Sequence, residues 1–314
     1  MFTRVFKETS FWSYALAFVL LLLAVYGHHF FIEKLNPSNN LVLKSTVAGF
    51  LSLISIVLVE VTVRQALFFQ RTNYHLFIFI LFFAMLPISK WSIWVWISVL
   101  FFWSSVLIIM KLDENESEKK SIFNAGLWLV FAILFKTDFY FFYVILWAVL
   151  YFKGRLNISN IFLTFLPFVS LYIIWAALSE LFPNLLIIGK NEFITSSFNA
   201  LMSDNTQENT GLFFILLASI IFVFKHVKEK YQARKREKLN LRVCILILFS
   251  SLSIVLFGGE ENAITWIAFV MASSVLSAQF LNSIKSKLLL EGFFIICLCI
   301  IFQDALSTIV GVLI

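Results

Sequence analysis

The stretch VLVEVTVRQALFF, Val57 to Phe69, is apolar enough to lie in lipid, yet it carries Glu60 and Arg64 four residues apart. On an α-helix that spacing puts both side chains on one face. Two opposite charges so placed reduce the cost of holding either one in hydrocarbon. The apolar run begins upstream, near residue 44, and is long enough for a crossing of ~20 residues. With an exit near Phe69, Arg64 lies about one and a half turns from the lipid edge. Its side chain reaches the headgroups while its stem stays in apolar surroundings. Glu60 sits one turn deeper. We read an ion pair that seats a helix end at the interface and faces neighbouring helices. A proton relay needs further carriers at similar depth, and Thr62 and Gln65 do not supply them.

The rest of the chain agrees with a membrane setting. Its 314 residues are 61% hydrophobic and 13% charged, with mean hydropathy +0.94. A soluble domain carries about 25% charged residues, and no soluble fold of this size hides so much apolar surface. The fold class is therefore all-α, a polytopic transmembrane helix bundle forming a single integral domain over residues 1–314. Eleven candidate spans stand out, near 10–31, 44–69, 75–88, 91–110, 121–135, 139–152, 159–182, 211–225, 242–258, 264–284 and 288–310. The third, fifth, sixth, eighth and ninth are short for a full crossing.

Charge sets the orientation. Lys225 to Arg242 holds eight Lys and Arg against two Glu, which reads as a basic cytoplasmic loop. Alternating from there places eighteen of the 24 Lys and Arg inside and five outside, with Arg64 within a span. The N-terminus is then cytoplasmic and the C-terminus periplasmic. The first apolar run has no small-residue cleavage site after it and reads as a retained anchor. Residues 183–210 form the longest outer segment. Phe193, Ile194, Phe198, Leu201 and Met202 share a face there, which predicts a helix lying on the outer surface, ended by the polar SDNTQENTG. Net charge +6 follows the membrane side, so no nucleic-acid partner is expected.

Other polar residues are candidates for chemistry. Lys136 and Asp138 occupy a short outer turn, LFKTDFYFF, which reads as wet. Together with Glu33 they are the candidate catalytic residues: a lysine binds phosphate as a point charge, and a carboxylate within reach of an acceptor acts as a general base. His28 and His29 precede Glu33, but adjacent histidines point to different sides of a helix. Cys244, Cys297 and Cys299 form no C-x-x-C, so no metal or cofactor is expected. Glu260 and Glu261 read as solvated, and Asp304 as a carboxylate facing protein. Ala268 with Ala272, and Ser273 with Ser277, give small-xxx-small spacing for close helix packing. Pro167 predicts a kink.

VTVRQALFFQRTNYHLFIFILFFAMLP, followed by KKSIFNAGLWLVFAILFKTDFYFFYVILWAVLYFKGR, resembles an uncharacterised family of multi-pass inner-membrane proteins from Bacteroidota. The resemblance implies the cytoplasmic membrane of a Gram-negative envelope and no established activity. AILFKTDFYFFYVILWAVLYFKGR is also similar to the membrane scaffold of GT-C glycosyltransferases, which take sugars from polyprenyl-phosphate carriers. That similarity puts Lys136 at an outer helix end. The long first outer loop of those enzymes, with its catalytic acid, is here short and offers Glu33 alone. The expectation is a non-catalytic scaffold or accessory subunit of an envelope complex, in contact with membrane lipids and other membrane subunits. The alternatives are a lipid-linked glycan transferase using a polyprenyl-linked lipid, and a transporter or flippase.

Overall fold

The computed structural model describes residues 11–32, 39–65, 73–86, 93–112, 118–181, 206–229, 235–257, 265–284 and 286–301. All regular structure among them is helical. Eleven α-helices follow one another: α1 (Phe11–Ile32), α2 (Asn39–Gln65), α3 (Tyr74–Ala84), α4 (Ile93–Met110), α5 (Glu118–Phe135), α6 (Phe142–Phe152), α7 (Ile158–Leu181), α8 (Thr206–Glu229), α9 (Lys235–Phe257), α10 (Thr265–Ser283) and α11 (Lys287–Ile301). A 3-10 segment, Thr137–Phe141, leads into α6.

Two helices form the centre. Every residue from Tyr74 to Phe83 in α3 is buried, as is every residue from Trp266 to Ser277 in α10. A helix that is apolar all round belongs inside, and these two pack on each other. Aromatic rings fill the gaps around them: Phe77 meets Phe294 of α11 edge-on at 4.7 Å, and Phe83 meets Trp96 of α4 at 5.6 Å. Further out, Phe102 of α4 stacks on Phe142 of α6 at 3.8 Å.

Two rungs pin α2 to α4. The Trp96 indole donates to Ser55 Oγ at 3.1 Å, and the Trp103 indole to Thr62 Oγ1 at 2.8 Å. The partners ascend together, so the two helices run parallel. Between α5 and α7 the approach is closer. A Cβ on Gly126 would lie 2.5 Å from the Thr164 carbonyl oxygen, so glycine permits the contact. Pro167 sits inside α7, one turn beyond it.

The α6–α7 hairpin is closed by local chemistry. Gly154 adopts φ +67°, the left-handed conformation that glycine takes without penalty. Gly154 N–H donates to the Tyr151 carbonyl at 2.9 Å and Arg155 N–H to the Leu150 carbonyl at 2.8 Å, which together form a Schellman cap. Asn157 then caps α7, its Oδ1 accepting from Asn160 N–H at 2.7 Å.

Several helices depart from the expected spans. α8 begins at Thr206, so TQENTG is helical rather than the polar end of an outer loop. The stretch Lys225–Arg242, expected to be a loop, is largely helix: α8 runs on to Glu229 and α9 starts at Lys235. Lys, Arg, Gln and Glu are good helix formers, and their charge does not end a helix that continues into water. The expected surface helix over 193–202 lies outside the described residues. Among the described helices, one stretch, Thr46–Arg64 of α2, is both long and apolar enough to cross a membrane, with mean hydropathy 2.2 over 19 residues. The other apolar helical runs, such as Trp96–Met110 and Thr210–Lys225, are shorter.

Candidate functional site

The densest polar constellation among the described residues is built on Glu60. Three helix ends meet there: the start of α1, the end of α2 and the start of α3. Glu60 Oε1 accepts from Arg64 Nε at 2.5 Å and from the Tyr14 hydroxyl at 3.0 Å. Arg64 Nη2 donates to the same Tyr14 oxygen at 3.0 Å. The other carboxylate oxygen, Oε2, lies 2.5 Å from His75 Nε2. Alongside, Asn73 Nδ2 donates to Ser13 Oγ at 2.6 Å and ties α1 to α3 a second time.

The exposures show how the cluster is seated. The Arg64 side chain is 67% exposed, Glu60 14% and His75 3%. The acid is thus held inside, between a cation that reaches outward and an imidazole that reaches inward. With His75 neutral, its Nε2–H donates to Glu60 and Nδ1 carries the free lone pair. That Nδ1 is buried without a partner among the described residues, as is Asn73 Oδ1. Chemically the cluster clamps three helices to one carboxylate.

A second charged cluster lies at the meeting of α4, α5, α6 and α7. Arg155 Nη1 sits 3.0 Å from Glu118 Oε2. Asn160 Nδ2 donates to the Arg155 carbonyl at 2.8 Å and to Glu118 Oε1 at 3.4 Å. Lys153 Nζ donates to the Met110 carbonyl at 3.0 Å and covers the last turn of α4. Arg242, two turns into α9, stands over the Phe152 ring at 5.7 Å. Because α2 and α4 run parallel, both clusters occupy the same end of the bundle. Arg64, Lys111, Lys119, Lys120, Lys153, Arg155 and Arg242 all gather there.

The residues singled out in the sequence fall out differently. Glu60 and Arg64 are brought together. Ala268, Ala272, Ser273 and Ser277 are all buried in α10, with Ser273 Oγ 2.7 Å from Ser219 Oγ of α8. These small residues are used up inside the bundle and leave no free face between Trp266 and Ser277. Lys136 is not on a wet turn: it is 8% exposed. Its carbonyl accepts from Phe139 N–H at 3.2 Å, and Phe139 and Phe142 pack inward on Phe102. The aromatic residues that follow Lys136 draw it in with them. Glu33, Asp304, Glu260 and Glu261 lie outside the described residues, as do the side chains of Asp138, His28 and His29, so of the candidate trio Lys136, Asp138 and Glu33 only the Lys136 side chain is described. Among the described residues no group of three or more His, Cys, Asp or Glu is placed to hold a metal.

Sequence reasoning missed Tyr14 and His75. The signal was there: in a chain of alternating spans, the start of the first, the end of the second and the start of the third share one side. Each carries a polar residue in an apolar run.

The architecture defines an all-helical bundle with a charged clasp at one end. The chain belongs to a family of unknown function (DUF6427), whose model matches residues 1–310. No curated protein and no solved structure matches it.

Proposed function

We propose that the chain is a multi-pass protein of the cytoplasmic membrane of a Gram-negative envelope, of the Bacteroidota type, that crosses eleven times with its N-terminus in the cytoplasm and its C-terminus in the periplasm. The observation that carries this is the gathering of exposed cations at one end of an apolar bundle, as cytoplasmic ends require. Exposed aromatics flank both ends: Phe11, Trp12 and Tyr151 on the basic side, and Trp94, Tyr140 and Phe141 on the other. Such rings favour the level of the headgroups. Single cysteines at Gln232 and Asn205 test the topology. Gln232 is expected to label from the cytoplasm and Asn205 from the periplasm, and labelling of Gln232 from outside would sink the reading.

Within that setting the protein acts as a non-catalytic scaffold or accessory subunit of an envelope complex. Support comes from the second half of α7. Leu166, Phe168, Val169, Tyr172, Ile173 and Ile174 are all at least 41% exposed and cover much of its circumference. Beyond its contact with Gly126 this helix keeps Leu171 against the core and offers apolar surface on its other sides. A photo-crosslinker at Ile173 in native membranes is expected to trap one discrete protein band, with Val144 on α6 as the lipid-facing control. Only lipid adducts at both sites would remove the subunit reading. A transporter is the second reading, and the Glu60–His75 contact favours it, because it places two titratable groups side by side within the bundle. The transferase alternative would rest on Lys136.

A further inference from the structure

The groove between α6 and α9 has features that neither the clasp nor the subunit reading uses. The end of α6 meets α9 where Arg242 covers Phe152. From that point each helix shows one exposed apolar line. On α6 it is Tyr151 and Val144, seven residues apart and 67% and 61% exposed; on α9 it is Phe249, seven residues beyond Arg242 and 53% exposed. Seven residues make two turns, so each line stays on one face. Beneath the groove Ile145, Leu146, Val149 and Val243 are buried, where they line a small internal gap together with Phe102 of α4 and Leu129 of α5.

The rim of the groove is cationic. Arg242 is exposed, and no carboxylate among the described residues pairs with it. Lys238 lies one turn earlier on the same face of α9. Lys153 and Arg155, at the end of α6, are engaged elsewhere, by the Met110 carbonyl of α4 and by Glu118 of α5. The tyrosine at position 151 stands between the apolar lines and the charges, where its hydroxyl meets water and its ring meets lipid.

We propose that this groove binds an anionic phospholipid, with its phosphate held by Arg242 and Lys238 and one acyl chain lying along Tyr151, Val144 and Phe249. Charge complementarity selects the headgroup: basic pockets between membrane helices on the cytoplasmic side take anionic lipids. The exposed apolar residues below the rim, Tyr151, Val144 and Phe249, select a lipid over a free anion, because inorganic phosphate has nothing to place there. The guanidinium of Arg242 offers a planar fork to phosphate oxygens while it rests on the Phe152 ring.

The proposal rests on the membrane reading, and the test separates the two. Washing native membranes with alkaline carbonate comes first: release of the protein would defeat the membrane reading itself. The retained protein is then purified in neutral detergent. Native mass spectrometry follows its titration with phosphatidylglycerol, with phosphatidylcholine of the same chains, and with inorganic phosphate. Phosphatidylglycerol is expected to bind at several-fold lower concentration than phosphatidylcholine, and inorganic phosphate not to bind. Removing one cation should weaken phosphatidylglycerol binding by about fivefold, since each Lys or Arg near a lipid surface contributes about 1 kcal/mol. Arg242→Gln reads this directly. Lys238→Gln reads it again one turn away, and the wild-type comparison needs no variant. Equal retention of the two lipids, phosphate binding as strong as the lipid, or unchanged binding in both variants would each overturn the proposal.

Discussion

Glu60 and Glu118 make an instructive pair. Each is an acid at the basic end of the bundle, and each has an arginine within 3.0 Å. Their surroundings differ. Glu60 is 14% exposed and bonds to residues on three helices, whereas Glu118 is 32% exposed; both arginines are open, at 67% and 53%, so the acids carry the contrast. An exposed pair gains little, because water competes for both partners. A buried carboxylate stripped of its partners has no such fallback. The same type of contact therefore acts as a fastener in one place and as surface decoration in the other.

The largest expected effect is at the hub itself. Glu60→Ala leaves Tyr14 and His75 without their shared acceptor and should lower stability by about 3 kcal/mol, read as the shift in thermal midpoint of the detergent-solubilised protein. Arg64→Ala comes next, at about 2 kcal/mol, because it takes the cation from a largely buried acid and leaves it Tyr14 and His75 alone. The double variant is expected to lose less than the sum of the two, by about 1 kcal/mol. Additive losses would mean that the two charges do not interact and would undo the contrast with Glu118. His75→Gln should cost about 1 kcal/mol, the value of one hydrogen bond to a group that stays paired elsewhere. At the other acid, Arg155→Ala should change the midpoint by less than ~0.5 kcal/mol equivalent. A loss there as large as at Arg64 would show that exposure does not separate the two clusters.

How much of this the sequence revealed depended on distance along the chain. Glu60 and Arg64 were visible together because helical spacing alone relates residues four apart. Tyr14 is 46 residues from Glu60, and His75 is 15 away across a connector. No periodicity links them, and only the alternation of spans does. The all-helical class followed from composition, since long apolar runs without two-residue alternation satisfy their backbone within a helix rather than in a barrel strand. The extent of α8 and α9 did not, because a run of Lys and Arg reads as solvated whether it is coil or helix. Lys136 was misplaced for a related reason. Its charge argued for water, but the fold of Phe139 and Phe142 onto Phe102 decided its position. The contact of Gly126 with Thr164 left no mark at all, since glycine in an apolar helix signals nothing until its neighbour is known.

The two indole bonds between α2 and α4 have a mechanical consequence. Trp96 and Trp103 are seven residues apart, and so are Ser55 and Thr62. The fastenings are thus spaced by about 10 Å on both helices. One fastening would act as a pivot. Two at equal spacing prevent rotation about either, and a slide of one turn would break both at once. α2 and α4 therefore form a single strut, and the Glu60 clasp sits at its tip. Any movement of the bundle must carry this strut whole, with α1 and α3 hinging on it where they meet the carboxylate.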